Sequence, residues 1–406
     1  METVLDSRYS WGRLGLSLAI ACVGNVAMWA IIVVMPAMQA EFGVDRAAAS
    51  LPYTATMLGF ALGNFVIGRL VDRFGITVAL WVAACLVAAG FAGSALAPGA
   101  GWVAVAQFVA GFGSAATFGP LIADISQWFL KRRGIAVGIA ACGNYLSGAI
   151  WPMALKPMIA AGDWRGAYWV LVVVVLVTML PLAWLLRRRV PLLALAQSDA
   201  ASALRVRASG FTPAQLAWLL GFAGIGCCVA MSMPQVHIVA YCADLGYGPA
   251  VGAEMLSLML LGGVVSRLIS GLVADRIGGV MTLLIGSALQ TLGLILYLPF
   301  DALVPLYVVS AIFGLSQGGI VPSYAVIVRE YMPAREAGAR VGFVMMATIL
   351  GMALGGWMSG WIYDQTGSYA LAFLNGIGWN LLNLVIVGLL IIRSRGAQAA
   401  HDRAVA

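Results

Sequence analysis

The feature that most limits how this chain can fold is a series of long apolar runs separated by short polar links. A helix needs about 20 mostly apolar residues to cross the hydrocarbon core of a bilayer. Hydrophobic residues make up 62% of the chain and charged residues only 10%, so too few charges remain to cover a water-facing surface. The sequence therefore predicts a protein embedded in a lipid bilayer, with twelve transmembrane helices (spans 1 to 12) near residues 14–39, 48–70, 77–97, 102–127, 134–160, 166–186, 213–240, 250–274, 279–299, 303–328, 338–363 and 370–392.

A short motif occurs twice, once in each half of the chain. The pattern Gly-x-x-x-Asp-Arg-x-Gly runs from Gly68 to Gly75 and again from Gly271 to Gly278. The copies are 203 residues apart (271 − 68), half of the 406-residue chain. A repeat on that scale indicates two related halves. We therefore predict an all-α integral membrane protein with two pseudo-symmetric six-helix bundles, which is a transporter architecture.

The only long polar link joins the two halves and is the natural domain boundary. The predicted domains are an N-terminal six-helix bundle at 1–187, a linker at 188–212, a C-terminal six-helix bundle at 213–395 and a polar tail at 396–406.

The basic residues predict the orientation of the spans. All of the 23 Lys and Arg residues except Arg46, Lys156, Arg165 and Arg267 fall on the same side of the predicted spans. Because cytoplasmic loops carry an excess of Lys and Arg, we expect both termini, the linker and both motif copies to be cytoplasmic.

Several other classes of protein are disfavoured. The net charge of +7 arises from short basic clusters between apolar runs, as membrane orientation requires, so we expect no nucleic-acid partner. The six cysteines lack metal-ligand spacing, and no set of His, Cys, Asp and Glu has it either. Neither a phosphate-binding Gly-x-x-x-x-Gly-Lys-Ser/Thr loop nor a nucleophile elbow is present. We expect no enzyme activity, no cofactor and no metal.

With these features the chain resembles the major facilitator superfamily over essentially its whole length. The resemblance is carried by the two Asp-Arg loops, the basic linker between two sets of six spans, and the entry to span 5 at Lys131-Arg132-Arg133-Gly134. Phrases such as Ser266-Arg267 ahead of Gly271, and Trp361-Ile362-Tyr363-Asp364, are similar to a bacterial monocarboxylate-porter-like group related to oxalate–formate antiporters. The resemblance implies secondary active transport of a small organic anion, foremost a monocarboxylate. It also implies alternating access with proton symport, by a monomer in a bacterial inner membrane.

Arg267 is the leading candidate for substrate binding. It lies in the middle of predicted span 8, where a charged side chain is costly and should face a polar cavity. Two interpretations of Arg267 are possible. It is either a structural arginine hydrogen-bonded to backbone carbonyls or a guanidinium that binds an anion. The resemblance implies that Arg267 binds the substrate carboxylate. The eukaryotic members also carry an aspartate four residues earlier, where this chain has Gly263. The role of that aspartate in proton coupling therefore cannot apply to this chain.

Three further ionisable residues are candidates for a role in transport. His237, near the outer end of span 7, is either a packed, hydrogen-bonded histidine or a substrate and proton-coupling residue. Glu254 opens span 8 and is a second proton-coupling candidate, or a solvated span end. Lys156 on span 5 is a second attractor for anions, or a lysine that snorkels outward.

Other polar or aromatic side chains deep in the spans are candidate substrate contacts. All but one lie on spans 1, 4, 7 and 10, which line the central cavity in the fold that the resemblance implies. Helix-face arguments do not decide which of them point inward. The candidates are Asn25, Trp29, Thr117, Tyr145, Gln317 and Tyr324, and Asn144 of span 5 is a further polar residue deep in a span.

The two motif copies predict charge clamps at the cytoplasmic ends of spans 2 and 8. We expect Asp72 with Arg73, and Asp275 with Arg276, to hold the cytoplasmic face closed in one conformation and release it in another. Asp124 lies near the end of span 4, and we expect it to join the clamp with Arg73.

Two alternatives to anion uptake remain open. An apolar path with 13 tryptophans also permits efflux of amphipathic drugs or metabolites by proton antiport. From a different class, the chain is a membrane sensor or partner-binding subunit that moves nothing.

Overall fold

The computed structural model describes residues 5–44, 46–190, 202–203, 206 and 210–405, and the regular structure within them is helical. Two short 3₁₀ turns cover Ala115–Thr117 and Ala334–Glu336. The α-helices are α1 (Arg8–Gly24), α2 (Val26–Phe42), α3 (Arg46–Phe74), α4 (Ile76–Ala95), α5 (Ala100–Ser114), α6 (Gly119–Ser126), α7 (Arg133–Ala160), α8 (Trp164–Leu185), α9 (Pro213–Asp244), α10 (Pro249–Ile277), α11 (Gly279–Leu296), α12 (Leu303–Gln317), α13 (Ile320–Tyr331), α14 (Ala337–Thr366) and α15 (Ala370–Val405).

The described residues contain twelve helical segments that are long and apolar enough to cross a membrane, so the predicted number of spans is confirmed. Spans 1, 4 and 10 are each built from two helices (α1–α2, α5–α6 and α12–α13). Local chemistry sets several helix starts. At span 7 the Thr212 hydroxyl accepts from the Gln215 amide at 3.2 Å, and the Gln215 side chain accepts from the Thr212 amide at 3.0 Å. This capping box satisfies two amide donors that a helix start leaves open.

The three two-part spans are interrupted within the membrane-spanning segment. In span 1 the break is the single residue Asn25; in span 4 it is the 3₁₀ turn and Phe118; in span 10 it is the pair Gly318 and Gly319. The breaks in spans 4 and 10 are related by the repeat, because 115 + 203 = 318. Discontinuous helices in transporters expose backbone groups at substrate sites, so the breaks in spans 1 and 4 mark a candidate site in one half of the chain and the break in span 10 marks one in the other half.

The chain divides into two compact units. Unit 1 comprises Met1–Leu130, Ile139–Leu195 and Ala334–Met346. Unit 2 comprises Lys131–Gly138, Ala196–Pro333 and Ala347–Ala406. Each unit therefore contains most of one sequence half and the first residues of a span from the other half, span 11 in unit 1 and span 5 in unit 2.

Each unit has its own apolar core. In unit 1 the core includes Ala83 and Val87 of span 3 together with Leu171 and Val175 of span 6. In unit 2, Met255, Met259, Leu294 and Phe313 belong to a core in which the Tyr297 ring stacks on Phe373 at 4.9 Å between centroids.

The spans also carry exposed apolar side chains, for example Val173 and Val177 on span 6 and Leu381 and Val385 on span 12. Apolar side chains on both the inside and the outside of a helix are expected where lipid replaces water as the solvent.

Candidate functional site

Arg267 lies inside unit 2, at the break in span 10. Its side chain is on span 8 and the residue is only 4% exposed. Its Nε donates to the carbonyl oxygen of Gly318 at 3.2 Å. The backbone beside it is tightly packed, because a Cβ on Gly138 of span 5 would lie 2.6 Å from the Arg267 carbonyl oxygen. The hydrogen bond from Nε to Gly318 orients the guanidinium, whose planar fork of N–H donors matches carboxylate geometry.

A pair of side-chain amides forms at the same break in span 10. Gln317 directly precedes Gly318 and is fully buried. Its Oε1 accepts from Gln235 Nε2 of span 7 at 2.8 Å, while its Nε2 has no hydrogen-bond partner among the residues that the structure describes. A buried donor without a partner is costly. The break in span 10 is thus contacted by a guanidinium at Gly318 and directly preceded by a residue with an unsatisfied amide N–H.

The break is reinforced from span 8. The amide of Gly319 donates to the Ser266 hydroxyl at 3.2 Å, so consecutive residues of span 8, Ser266 and Arg267, contact the two glycines of span 10. Sequence reasoning identified Arg267 and Gln317 but not the role of Ser266, although it lies in the Ser-Arg phrase.

In unit 1, polar side chains gather at the breaks in spans 1 and 4. Asn25 Nδ2 donates to the carbonyls of Ala21 at 2.8 Å and Thr117 at 3.4 Å. Asn144 of span 5 donates to Asn25 Oδ1 at 3.1 Å, and Trp29 Nε1 donates to the Asn144 carbonyl at 3.1 Å. The predicted residues Asn25, Trp29 and Thr117 are thus brought together.

This cluster also contains residues that were not among the predicted contacts. Asn144 connects span 5 to Asn25, and Ser114 donates from span 4 to the Gly24 carbonyl at 2.6 Å. Tyr145, which was predicted, follows Asn144 and is half-buried. The polarity of Asn144 within an apolar run was a signal for its role, whereas a serine such as Ser114 is common in membrane helices.

His237 forms hydrogen bonds at both ring nitrogens within unit 2. Nε2 lies 2.8 Å from the carbonyl oxygen of Gly356, and Nδ1 lies 3.4 Å from the hydroxyl of Tyr369. A carbonyl only accepts, so Nε2 donates to Gly356, and Nδ1 is the nitrogen that pairs with the Tyr369 hydroxyl. Burial, reinforced by Asp244, raises the pKa of Tyr369 to about 12, so this phenol is a neutral donor at physiological pH. The ring nitrogen of His237 that faces this phenol is Nδ1.

The remaining candidates lie apart from these clusters. Glu254 is exposed and accepts a hydrogen bond from Tyr307, which fits the solvated span end. Tyr324 is fully buried and donates to Asn383 Oδ1 at 3.0 Å. Asn383 in turn donates to the Ser287 hydroxyl at 2.7 Å, so Tyr324 belongs to a polar network linking spans 9, 10 and 12. Lys156 is exposed, as a snorkelling lysine is.

Each motif aspartate caps the start of another span. In unit 1 the Asp72 carboxylate accepts from the amides of Gly338 at 2.8 Å and Ala339 at 2.7 Å, in the first turn of span 11. In unit 2 the Asp275 carboxylate accepts from the amides of Gly134 at 2.5 Å and Ile135 at 3.1 Å, in the first turn of span 5. A carboxylate there satisfies open helix donors and complements the positive end of the helix dipole.

The motif glycines make these contacts possible. A Cβ on Gly68 would collide with the Gly338 carbonyl oxygen, and one on Gly338 with that of Gly68. Gly271 and Gly134 stand in the same reciprocal relation in unit 2. The last motif glycine has a different role: Gly278 adopts a φ of +84° at the turn into span 9, a conformation that favours glycine.

The motif arginines take no part in these caps. Arg73 and Arg276 are exposed, and neither forms an ion pair with a carboxylate among the described residues. Asp124 pairs with Arg13 at 2.8 Å and not, as the sequence suggested, with Arg73. Arg13 is buried, also donates to the carbonyls of Leu186 and Arg188, and was missed because it lies in the polar stretch before span 1.

The described residues contain no group of three or more His, Cys, Asp or Glu side chains that could hold a metal ion. The clusters at the helix breaks offer the buried guanidinium of Arg267 and several amide and hydroxyl donors. A guanidinium fork with neighbouring N–H and O–H donors is chemically suited to an anion.

The fold and these sites define a multi-pass membrane protein with a transporter architecture. The family model described as Major Facilitator Superfamily matches residues 17–253 and 219–405, and the chain belongs to that family. It is a family of transporters, which confirms the expectation that the chain is not an enzyme.

Curated relatives support the similarity to monocarboxylate carriers. Monocarboxylate transporter 11 of Homo sapiens is 29% identical over 349 residues, covering 82% of this chain and 70% of the relative. Monocarboxylate transporter 13 of Bos taurus is 28% identical over 276 residues, covering 66% of this chain and 62% of the bovine protein. The match thus spans less than two thirds of the bovine protein's length.

Solved structures show the same fold. The human organic anion transporter MFSD10 (TETRAN) superimposes with a TM-score of 0.74 at 15% identity, covering 94% of this chain and 99% of that one. The transporter FucP in its outward conformation gives a TM-score of 0.71 at 14% identity, covering 96% of this chain and 99% of that one.

Proposed function

We propose that the protein is a secondary active transporter of small monocarboxylates, working by alternating access with proton symport in a bacterial inner membrane. The observation that carries the proposal is the buried guanidinium of Arg267, whose Nε donates to the Gly318 carbonyl at a helix break. Gln317, which directly precedes Gly318, has a buried amide nitrogen without a hydrogen-bond partner among the described residues. The substrate carboxylate would bind the guanidinium, and Gln317 Nε2 would supply a further donor. The named relatives, which are monocarboxylate transporters, support the substrate class.

Proton coupling follows from charge. A carboxylate that crosses alone carries its charge through the membrane potential, which is worth about 2.3 kcal/mol per 100 mV. A proton moving with it makes the transported pair neutral. His237 is the proposed carrier of that proton, because its Nδ1 faces a phenol that is able to reverse its hydrogen bond when the imidazole becomes protonated.

The helix caps suggest how access would alternate. Asp72 and Asp275 each join a span of one sequence half to the start of a span from the other half. We propose that both caps form in one transport state and break in the other. Each predicted bundle, 1–187 or 213–395, would move together with its own six spans.

A ligand screen tests the substrate class. Purified protein in detergent is expected to gain thermal stability with small monocarboxylates and not with the matching amides or alcohols, because only the anion pairs with Arg267. A ligand at 100 times its Kd stabilises the folded state by about 2.7 kcal/mol. Neutral analogues that stabilise as strongly as the acids would contradict the proposal.

His237→Gln tests the proton carrier. Glutamine retains a donor and an acceptor but does not titrate, so accumulation driven by an inward proton gradient should fall about tenfold or more, whereas exchange of substrate for substrate should persist. Uptake into proteoliposomes with and without the gradient measures both. His401→Gln, which alters the other histidine of the chain, is the matched control. Wild-type gradient-driven accumulation in His237→Gln would rule out this role.

Efflux is the second candidate function. It is favoured by similarity to the Agnestins efflux protein AgnL12 of Paecilomyces divaricatus, which is 22% identical over 342 residues. An apolar efflux substrate would not need Arg267, so its transport should survive Arg267→Ala.

A further inference from the structure

An aromatic and basic surface lies at the end of span 6 in unit 1. Its aromatic part is a stack of Trp81 from span 3 on Trp184 from span 6, with ring centroids 5.6 Å apart and planes 6° apart. Trp81 Nε1 donates to the Leu180 carbonyl at 3.1 Å, which fixes the stack. Trp184 is nevertheless 49% exposed. Tryptophans at the ends of spans are typical of the membrane–water interface.

Three consecutive arginines follow this stack, and each is oriented by a different contact. The guanidinium of Arg187 lies 4.8 Å from the Trp184 ring centroid, and that of Arg188 lies 4.8 Å from the Tyr9 ring centroid. Arg189 Nη2 donates to the Phe74 carbonyl at 2.9 Å. All three residues are exposed. Within the described part of the chain, none of them is paired with a carboxylate.

The stacked arginines at this surface differ from a row of arginines that are fully surrounded by water. A guanidinium stacked on a ring has its flat face covered but keeps its in-plane N–H groups available for hydrogen bonds. Two such groups on consecutive residues offer donors that match phosphate oxygens. The exposed Trp184 and Leu185 next to them are apolar, so the occupant must present both a phosphate and a hydrocarbon part.

We propose that the surface formed by Trp81, Trp184, Arg187 and Arg188 binds the headgroup of an anionic phospholipid. The phosphate would accept from Arg187 and Arg188, and the acyl chains would lie along the exposed apolar side chains of spans 3 and 6. Basic residues at the end of a membrane helix favour anionic lipid in this way. The site does not depend on what the protein transports.

Thermal stability in mixed micelles tests the site. At equal total lipid, phosphatidylglycerol is expected to raise the Tm of the full-length protein by about 3 °C or more above its value in phosphatidylcholine. Arg187→Gln combined with Arg188→Gln should remove this difference. The charge-matched control combines Arg335→Gln with Arg393→Gln, two exposed arginines elsewhere in the chain, and should retain it.

Two further measurements distinguish a lipid from a soluble phosphate and separate loss of the site from loss of the fold. Inorganic phosphate or glycerol 1-phosphate added to phosphatidylcholine micelles should give no shift; an equal shift would mean a soluble ligand and would overturn the proposal. Trp184→Leu keeps the charge but removes the ring under Arg187. It should reduce the rise in Tm caused by phosphatidylglycerol by half or more. A full shift in Trp184→Leu, or an equal loss in the control pair, would also overturn it.

Discussion

Replacing Arg267 with alanine should strongly weaken specific binding of the carboxylate substrate and reduce its uptake. Truncating one partner of a buried, hydrogen-bonded charge pair costs about 2–5 kcal/mol, and each 1.4 kcal/mol is a factor of ten in affinity. The Kd should therefore rise about 30-fold to 4,000-fold. Isothermal titration of the purified variant with the best monocarboxylate from the ligand screen measures this change.

Arg267→Lys separates charge from geometry. Lysine retains the positive charge but has neither the planar fork nor the Nε that donates to the Gly318 carbonyl. If the carboxylate is bound by two parallel N–H groups, Arg267→Lys should lose most of the affinity that Arg267→Ala loses. Near wild-type affinity in the lysine variant would show that any cation suffices.

Lys156→Ala is the matched control for these variants. Lys156 is the cation on span 5 that the sequence left as a second anion attractor, and it is exposed in the structure. Its removal should leave the Kd unchanged within about twofold, since exposed charges interact weakly. The Tm of each variant without ligand must also be measured, because loss of the bond to Gly318 affects the fold. Unchanged affinity in a folded Arg267→Ala variant would contradict an anion site at Arg267.

Much of the fold could be predicted from patterns in the amino-acid sequence alone. The length of each apolar run predicted the twelve spans, and the two Asp-Arg motifs predicted the repeat. Both signals are local in sequence. The cap that joins Asp72 to Gly338 links residues 266 positions apart. The periodicity of apolar residues along a span carries no information about such a distant contact. The sequence therefore indicated that Asp72 matters at a turn, but not which helix it holds.

The candidate site was predicted less completely, for a physical reason. A helix in lipid is apolar on every side, so hydrophobic periodicity does not show which face is inside. Gln317 and Tyr324 are seven residues apart on the same span and were equally plausible. Gln317 lies at the break of span 10 with an unsatisfied amide, whereas the hydroxyl of Tyr324 donates to Asn383. The break itself, at Gly318 and Gly319, was not predicted because glycines are frequent throughout these spans.

Asp72→Asn and Asp275→Asn should slow transport strongly and leave substrate binding almost unchanged. Asparagine accepts one of the two amide hydrogen bonds but lacks the charge that complements the helix start. If the caps form in only one transport state, their loss shifts the balance between states and slows turnover, and we expect initial uptake rates about 10-fold to 100-fold below wild type, since each 1.36 kcal/mol changes a rate tenfold. The Kd in detergent should change by about threefold at most, because neither carboxylate is placed at Arg267.

Asp163→Asn provides a control with the same chemical change. Asp163 caps span 6, where its carboxylate accepts from the Gly166 amide at 2.7 Å, but this contact joins residues three apart and stays intact in any transport state. Asparagine is as good a cap as aspartate at a helix start, so uptake should remain near wild type. If Asp163→Asn slows uptake as much as Asp72→Asn, or if Asp72→Asn weakens binding as much as it slows uptake, the caps are structural supports and not gates.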